Sequence, residues 1–304
     1  MKAITVTDPD AGTAGMTLTE QPEPDASEND VIVRVHASGF TPGELTWPST
    51  WTDRAGRDRT PSIPGHELSG VVAELGYGTT GLTVGQRVFG LADWTRNGTL
   101  AEFVAVEARN LAPLPADIDF VTAASLPISG LTAWQGLFEH GHLRSGETVL
   151  VHGAAGGVGS VVTQLAREVG AYVVGTGRTA DRDAALGFGA NEFVDLGTGE
   201  LISAGPVDLV FDVIGGDIGD RSVDLVRAGG TLVTIAGPPT RRPADGRSVF
   251  FVVEAVRDQL TQLATRVRDG RLRAGVGTVR PLDDAVAALN PTERSTGKTI
   301  ISIA

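Results

Sequence analysis

The chain has 304 residues, 41% of them hydrophobic, and carries 25 Lys plus Arg against 37 Asp plus Glu, a formal charge of -12. That excess of negative charge repels nucleic-acid phosphates and anionic membrane surfaces, and the length allows two domains with separate cores. There is no cysteine, which excludes disulfides, thiolate nucleophiles, cysteine-ligated zinc and iron-sulfur clusters. The opening Met-Lys-Ala-Ile-Thr-Val has no long apolar stretch, and no apolar run of about 18 residues occurs anywhere, so a cytoplasmic protein is expected.

In the first 120 residues, short alternating segments at 30–36, 68–75, 87–90 and 101–106 predict a small β-rich domain, with Pro, Gly, Asp and Asn between them. Residues 46–64, which include Trp47 and Trp51, read as a long surface loop of the kind that borders active sites. Residues 148–151 form an apolar, β-branched strand, and Val158, Val161, Val162, Leu165 and Val169 recur at helical spacing. Between strand and helix lie Ala154, Ala155, Gly156, Gly157, Val158 and Gly159. Without side chains at 156, 157 and 159 the backbone can approach a pyrophosphate closely, and the free amides of the helix start face its charge. Ala154 departs from the commonest Gly-x-Gly-x-x-Gly, so context carries the reading. Strands at 171–175, 192–195, 207–214 and 231–236, with helices at 181–186 and 220–227, bring the count to five strands in a doubly wound parallel sheet. A further apolar run at 247–253, helices at 255–268 and 281–289 and a strand at 298–303 complete the chain.

Pro64-Gly65-His66-Glu67-Leu68-Ser69-Gly70-Val71-Val72, Val84-Gly85-Gln86-Arg87-Val88, Leu126-Pro127, Leu131-Thr132-Ala133-Trp134 and Ala154 to Gly159 occur in an order that resembles the medium-chain dehydrogenase/reductase superfamily. The closing segment, with Gly270-Arg271-Leu272, Pro281-Leu282, Ala285 and Gly297-Lys298, extends the resemblance over essentially the whole chain. It implies an α/β protein with a GroES-like β-rich catalytic domain, residues 1–121 and 253–304, and a doubly wound Rossmann domain, residues 122–252, with the substrate cleft where they meet. Zinc enzymes of the superfamily use cysteines and the histidine of Gly-His-Glu as metal ligands. Here only His66 matches, so no metal is expected, and His66 and Glu67 read as a hydrogen-bonded pair at a strand start. Residues 37–44 instead resemble the metal-free quinone oxidoreductases related to zeta-crystallin, with Thr41 at an Asn place, as the candidate catalytic residue, and Glu44 at an Asp place. The resemblance also places Thr132 near the nicotinamide, Ile214, Ala236 and Gly237 at its strand ends, and Phe250 and Phe251 at the pocket border. It implies a homodimer in which the run 247–253 pairs across a two-fold axis.

NAD enzymes end the second Rossmann strand with an acid that binds the adenosine ribose. Counting back from Gly189-Ala190 puts Thr176 at that place, followed by Gly177 and Arg178, whose guanidinium suits the 2′-phosphate of NADP(H). Arg182 is a second candidate. Without a metal, hydride transfer favours acceptors that delocalise the charge, namely a quinone or an α,β-unsaturated carbonyl. Two alternatives stay open, a zinc-free carbonyl or alcohol dehydrogenase and a non-catalytic NADPH-binding protein of crystallin type. Of the remaining histidines, His36 reads as a surface or interface residue, His140 and His142 as helix-end caps, and His152 as packing at a strand end.

Overall fold

The computed structural model describes residues 1–198, 201–292 and 297–304, apart from the side chains of Pro42, Ile202 and Ser203. They form two compact units, Met1–Ile128 with Ala255–Arg268 and Val276–Ala304, and Ser129–Glu254 with Asp269–Gly275.

The first unit is built on a seven-stranded sheet in the order Val276–Pro281, Lys298–Ser302, Asp30–Gly39, Glu67–Leu75, Arg87–Leu91, Leu111–Pro113, with Phe103–Glu107 also pairing on Asp30–Gly39. Only the first of these pairs is parallel. Alternation explains its core: Val31, Val33 and Val35 point to one side and meet Leu68, Val72, Val88, Val104 and Leu111. The segment 46–64 is less loop-like than its composition suggests. A 3-10 turn, Pro42–Thr46, runs into a single helical turn, Pro48–Trp51, each begun by a proline whose fixed φ suits a helix start. The Trp51 indole N–H donates to the Leu45 carbonyl at 2.8 Å and ties the two turns together.

The second unit holds six parallel strands in the order Glu192–Asp195, Tyr172–Gly177, Thr148–Val151, Val207–Asp212, Val226–Thr234, Gly246–Phe250. The sequence shows five, because residues 235–245 contain three prolines and no helix, and the strand-helix alternation is lost before the sixth. The run 247–253 thus joins the sheet as its edge, with Val249 beside Val233. Strand 207–214 stops at Asp212, whose carboxylate accepts the N–H groups of Ile214 and Gly215, both at 2.9 Å, and turns the chain. The helix expected at 220–227 begins earlier, at Gly216–Ser222, and Val226 already belongs to the next strand. Residues 269–275 lie with this unit rather than with the flanking helix and strands. The Gln164 side chain brackets Arg273, accepting its N–H at 2.8 Å and donating to its carbonyl at 3.1 Å, and Arg271 pairs with Glu168.

Candidate functional site

The glycine turn leads into the twelve-residue helix Gly157–Glu168, with Gly156 at its N-cap in an extended conformation. Gly156 and Gly157 are exposed, Ala155 and Val158 half-buried and Gly159 buried. A Cβ on Gly159 would lie 2.0 Å from the Gly153 carbonyl oxygen, so only glycine lets the helix pack this closely on the turn. The first amides of the helix have no intrahelical acceptor and lie at the positive end of its dipole, an arrangement that suits an anion.

Below the turn, the carboxyl ends of four neighbouring strands carry polar side chains in one row. Continuing the pairing of Val151 with Gly175 and of Phe211 with Val151, and adding the pair Asp212 with Thr234, gives the order Thr176, His152, Asp212, Thr234. All four are buried, at 0%, 0%, 1% and 2% exposure. The Thr176 hydroxyl lies 2.8 Å from His152 Nδ1, so this side chain is turned inward and is not presented at the turn as its sequence position suggests. His152 Nε2 lies 2.7 Å from Ser222 Oγ. His152 is therefore bonded at both nitrogens rather than merely packed, and burial holds its imidazole down to about 4, against the pull of Asp212. Asp212 accepts the Thr234 hydroxyl at 3.1 Å and, through its turn, shapes a cleft of about 130 Å³ lined by Ile214, Gly215, Gly216, Ala236 and Gly237. The structure thus brings Ile214, Ala236 and Gly237 together. Asp212, unassigned from the sequence, is announced there only by its charge at the end of an apolar strand.

Gly177 is buried, and Arg178 is exposed at the outer turn that follows it. Asp181 grips Arg178, accepting from Nε at 3.0 Å and from Nη2 at 3.1 Å. Arg182 lies over the Phe193 ring at 5.9 Å, with Nη1 3.4 Å from the Phe193 carbonyl.

Thr132 is buried on helix Pro127–Trp134. Phe250 is 40% exposed on the edge strand beside Thr234, whereas the Phe251 ring packs 4.5 Å from that of His140. The Phe251 and His140 rings therefore pack together at the end of the π-helical turn Gln135–His140, where His142, with Nδ1 3.3 Å from the Phe138 carbonyl, and Arg247, donating to the His140 carbonyl at 3.1 Å, cap the turn. His36 is half-buried and stacks on Phe120 at 4.2 Å with its Nε2 covered, and burial lowers its pKa. Thr41 is half-buried, and its carbonyl accepts the Glu44 N–H at 2.9 Å.

His66 and Glu67 do not bond to each other. His66 Nδ1 lies 3.3 Å from Glu44 Oε2, and Glu44 also accepts the Gly65 N–H, while the Glu67 carboxylate takes the Ile128 N–H at 2.8 Å and the Lys298 ammonium. Burial pushes the Glu67 carboxyl up, and Lys298 and the Ile128 N–H offset this only in part. Tetrahedral zinc does not fit this donor set: an ammonium already occupies the carboxylate, the chain has no thiolate, and no group of three His, Cys, Asp or Glu among the described residues is placed to hold a metal.

Residues 27–116 match the alcohol dehydrogenase GroES-like domain, and residues 188–301 match the family described as zinc-binding dehydrogenase. The chain is 32% identical over 292 residues to the 2-methylene-furan-3-one reductase of Solanum lycopersicum, covering 91% of the chain and 73% of that protein. It is 30% identical over 298 residues to the quinone oxidoreductase of Rattus norvegicus, covering 90% and 88%. A 41% match over 186 residues to the spectinabilin polyketide synthase system protein NorB of Streptomyces orinoci covers 59% of the chain but spans only 8% of that protein. The solved quinone oxidoreductase of Coxiella burnetii is similar with a TM-score of 0.88 at 27% identity, over 100% of this chain and 99% of that one. Among the described residues no helix is long and apolar enough to cross a membrane. With these matches, a GroES-like β-rich unit and a parallel Rossmann sheet, the chain belongs to the medium-chain dehydrogenase/reductase superfamily of nicotinamide-dependent oxidoreductases.

Proposed function

We propose that the chain is an NADPH-dependent oxidoreductase that works without zinc and delivers hydride to a quinone or an α,β-unsaturated carbonyl. The observation that carries this reading is the open glycine turn at the start of helix Gly157–Glu168, together with a second-strand end that offers Arg178 in place of an acid. Ala155, Gly156, Gly157, Val158 and Gly159 hold the pyrophosphate on their amides. Asp181 fixes one edge of the Arg178 fork, and the Nη1 side remains for the adenosine 2′-phosphate, with Thr176 and Gly177 contributing backbone. Thr132, Ile214, Ala236, Gly237, Phe250 and Phe251 are assigned to the nicotinamide end. Bound NADPH supplies hydride from C4 of its nicotinamide. The protein's part is positional, with the Thr41 hydroxyl as the assigned route for the proton.

The choice of acceptor is supported by the Glu44, His66, Glu67 and Lys298 cluster, whose one ammonium is already paired with the buried Glu67 carboxylate and so is not free to stabilise an alkoxide; charge delocalised over a conjugated product is the easier demand. The names of the tomato and rat relatives point the same way. In this reading residues 1–121 and 253–304 serve the acceptor and 122–252 the cofactor. It extends to a cytoplasmic homodimer, supported by the outer edge of strand Gly246–Phe250, which no described strand covers, and by Val252 at 63% exposure.

Oxidation of NADPH, followed by absorbance with a panel of quinones, conjugated enones and saturated aldehydes, tests the reading. Turnover of quinones or enones is expected, and turnover of saturated aldehydes alone overturns it. Arg178→Ala is expected to raise the KM for NADPH by roughly 10- to 100-fold, the worth of a charged hydrogen-bonded contact, with a much smaller change for NADH. Equal changes for the two cofactors would remove the phosphate role.

A further inference from the structure

The polar row under the glycine turn has a direction of hydrogen bonding that follows from its last member. Ser222 Oγ donates to the Ile218 carbonyl at 2.7 Å, so its proton is committed and it can only accept from His152 Nε2–H. His152 Nδ1 is then unprotonated and accepts the Thr176 hydroxyl. One neutral imidazole thus donates at one end and accepts at the other. These contacts link three segments that border the candidate site. His152 is the residue directly before the glycine turn, Thr176 is the penultimate residue of strand Tyr172–Gly177, which Arg178 follows, and Ser222 ends the helix Gly216–Ser222, whose first residue lines the cleft.

The helix meets the row at a second point three residues earlier. A Cβ on Gly219 would lie 2.7 Å from Asp212 Oδ2, so the face carrying Gly219 and Ser222 rests directly on Asp212 and His152. Asp212 at the same time holds the Ile214 and Gly215 amides. The turn at Ile214 and Gly215 and the helix Gly216–Ser222 are therefore both fastened to the row.

We infer that His152 is a positioning residue for the dinucleotide, which fixes the glycine turn relative to the Thr176–Arg178 strand end and the Gly216–Ser222 helix without touching the cofactor. The inference rests on the cofactor reading above. Imidazole suits the task because its two nitrogens lie in one rigid plane and face apart; leucine fills similar space but leaves the Thr176 hydroxyl without its acceptor and unlinks the helix. Glutamine keeps one donor and one acceptor on a flexible stem.

The test uses the full chain with NADPH as titrant. His152→Leu is expected to raise the NADPH dissociation constant and KM about tenfold or more, with a much smaller change in kcat at saturating NADPH. His152→Gln should recover a substantial part of that loss, and Thr176→Val and Ser222→Ala, which each remove one bond, should each weaken NADPH binding severalfold. If His152→Leu does not fold, these three milder variants decide. Unchanged NADPH affinity in Thr176→Val, Ser222→Ala and His152→Gln, or a loss in kcat alone, overturns the inference. Failure of the unaltered chain to bind NADPH overturns instead the cofactor reading on which it rests.

Discussion

Replacing Lys298 by methionine is expected to destabilise the folded chain by about 3–5 kcal/mol above neutral pH, and by far less in mild acid. Lys298 and Glu67 stand on strands either side of Asp30–Gly39, and their side chains meet across Gly39. A Cβ on Gly39 would lie 2.7 Å from Glu67 Oε2, so glycine there is what lets the carboxylate lie over the central strand. Glu67 is 0% exposed, and its folded pKa is raised above the unfolded value by burial. For a raised carboxyl the folded state keeps a proton that the unfolded chain releases, so its contribution to stability falls as pH climbs toward the folded pKa. Lys298 counters that rise. Without it the carboxyl moves further up and the window of lost stability widens, whereas in acid Glu67 is protonated in both folded proteins and the difference between them closes. Urea unfolding of the chain and of Lys298→Met across a pH series measures this, and Glu67→Gln in the methionine background should restore much of the loss at high pH. A deficit that does not change with pH would remove the buried charge as its cause.

Gly159→Ala is expected to cost about 2–3 kcal/mol of stability and to abolish most dinucleotide binding. The added methyl meets backbone at 2.0 Å from the Gly153 oxygen and 2.7 Å from the Gly153 carbonyl carbon, so relief requires moving the turn or the helix. At Gly157 the nearest atom to an added Cβ is Ser129 Oγ at 3.7 Å, ordinary contact. There alanine should be neutral to stabilising by up to about 1 kcal/mol, since it is the better helix former. Thermal melts of the two variants side by side separate a requirement for close approach from a general preference for glycine. Equal destabilisation would show that the distance at Gly159 is not what matters.

The parallel sheet and the glycine turn were legible because each depends on local pattern: apolar strands near residues 150, 174 and 210, helical spacing after 157, and glycine where backbone must approach backbone. The β-rich unit was legible through the alternation of Val31, Val33 and Val35 and the turn residues between strands. What the sequence withheld are pairings between distant positions. Glu67 reads as a neighbour of His66, yet its partners come from residues 128 and 298, because adjacent side chains on an extended strand point to opposite faces. Thr176 sits at the right place along its strand for a ribose contact, but its hydroxyl turns to His152, a choice set by strand order and register. Phe251 and Phe250 are neighbours in sequence and for the same reason diverge, one toward His140 and one toward solvent.

The position of strand Lys298–Ser302 also bears on how the chain is made. It pairs with Ala37, Ser38 and Gly39, and so completes a sheet whose central strand is synthesised well before it. At about 5–20 residues per second, the roughly 260 residues between them take on the order of 13–50 s, during which Ala37–Gly39 has an open edge and the Glu67 carboxylate lacks its ammonium. The sheet of the first unit therefore stays incomplete until residue 298 has emerged, and a ribosome stalled before it would leave that sheet exposed to edge-to-edge pairing with other nascent copies.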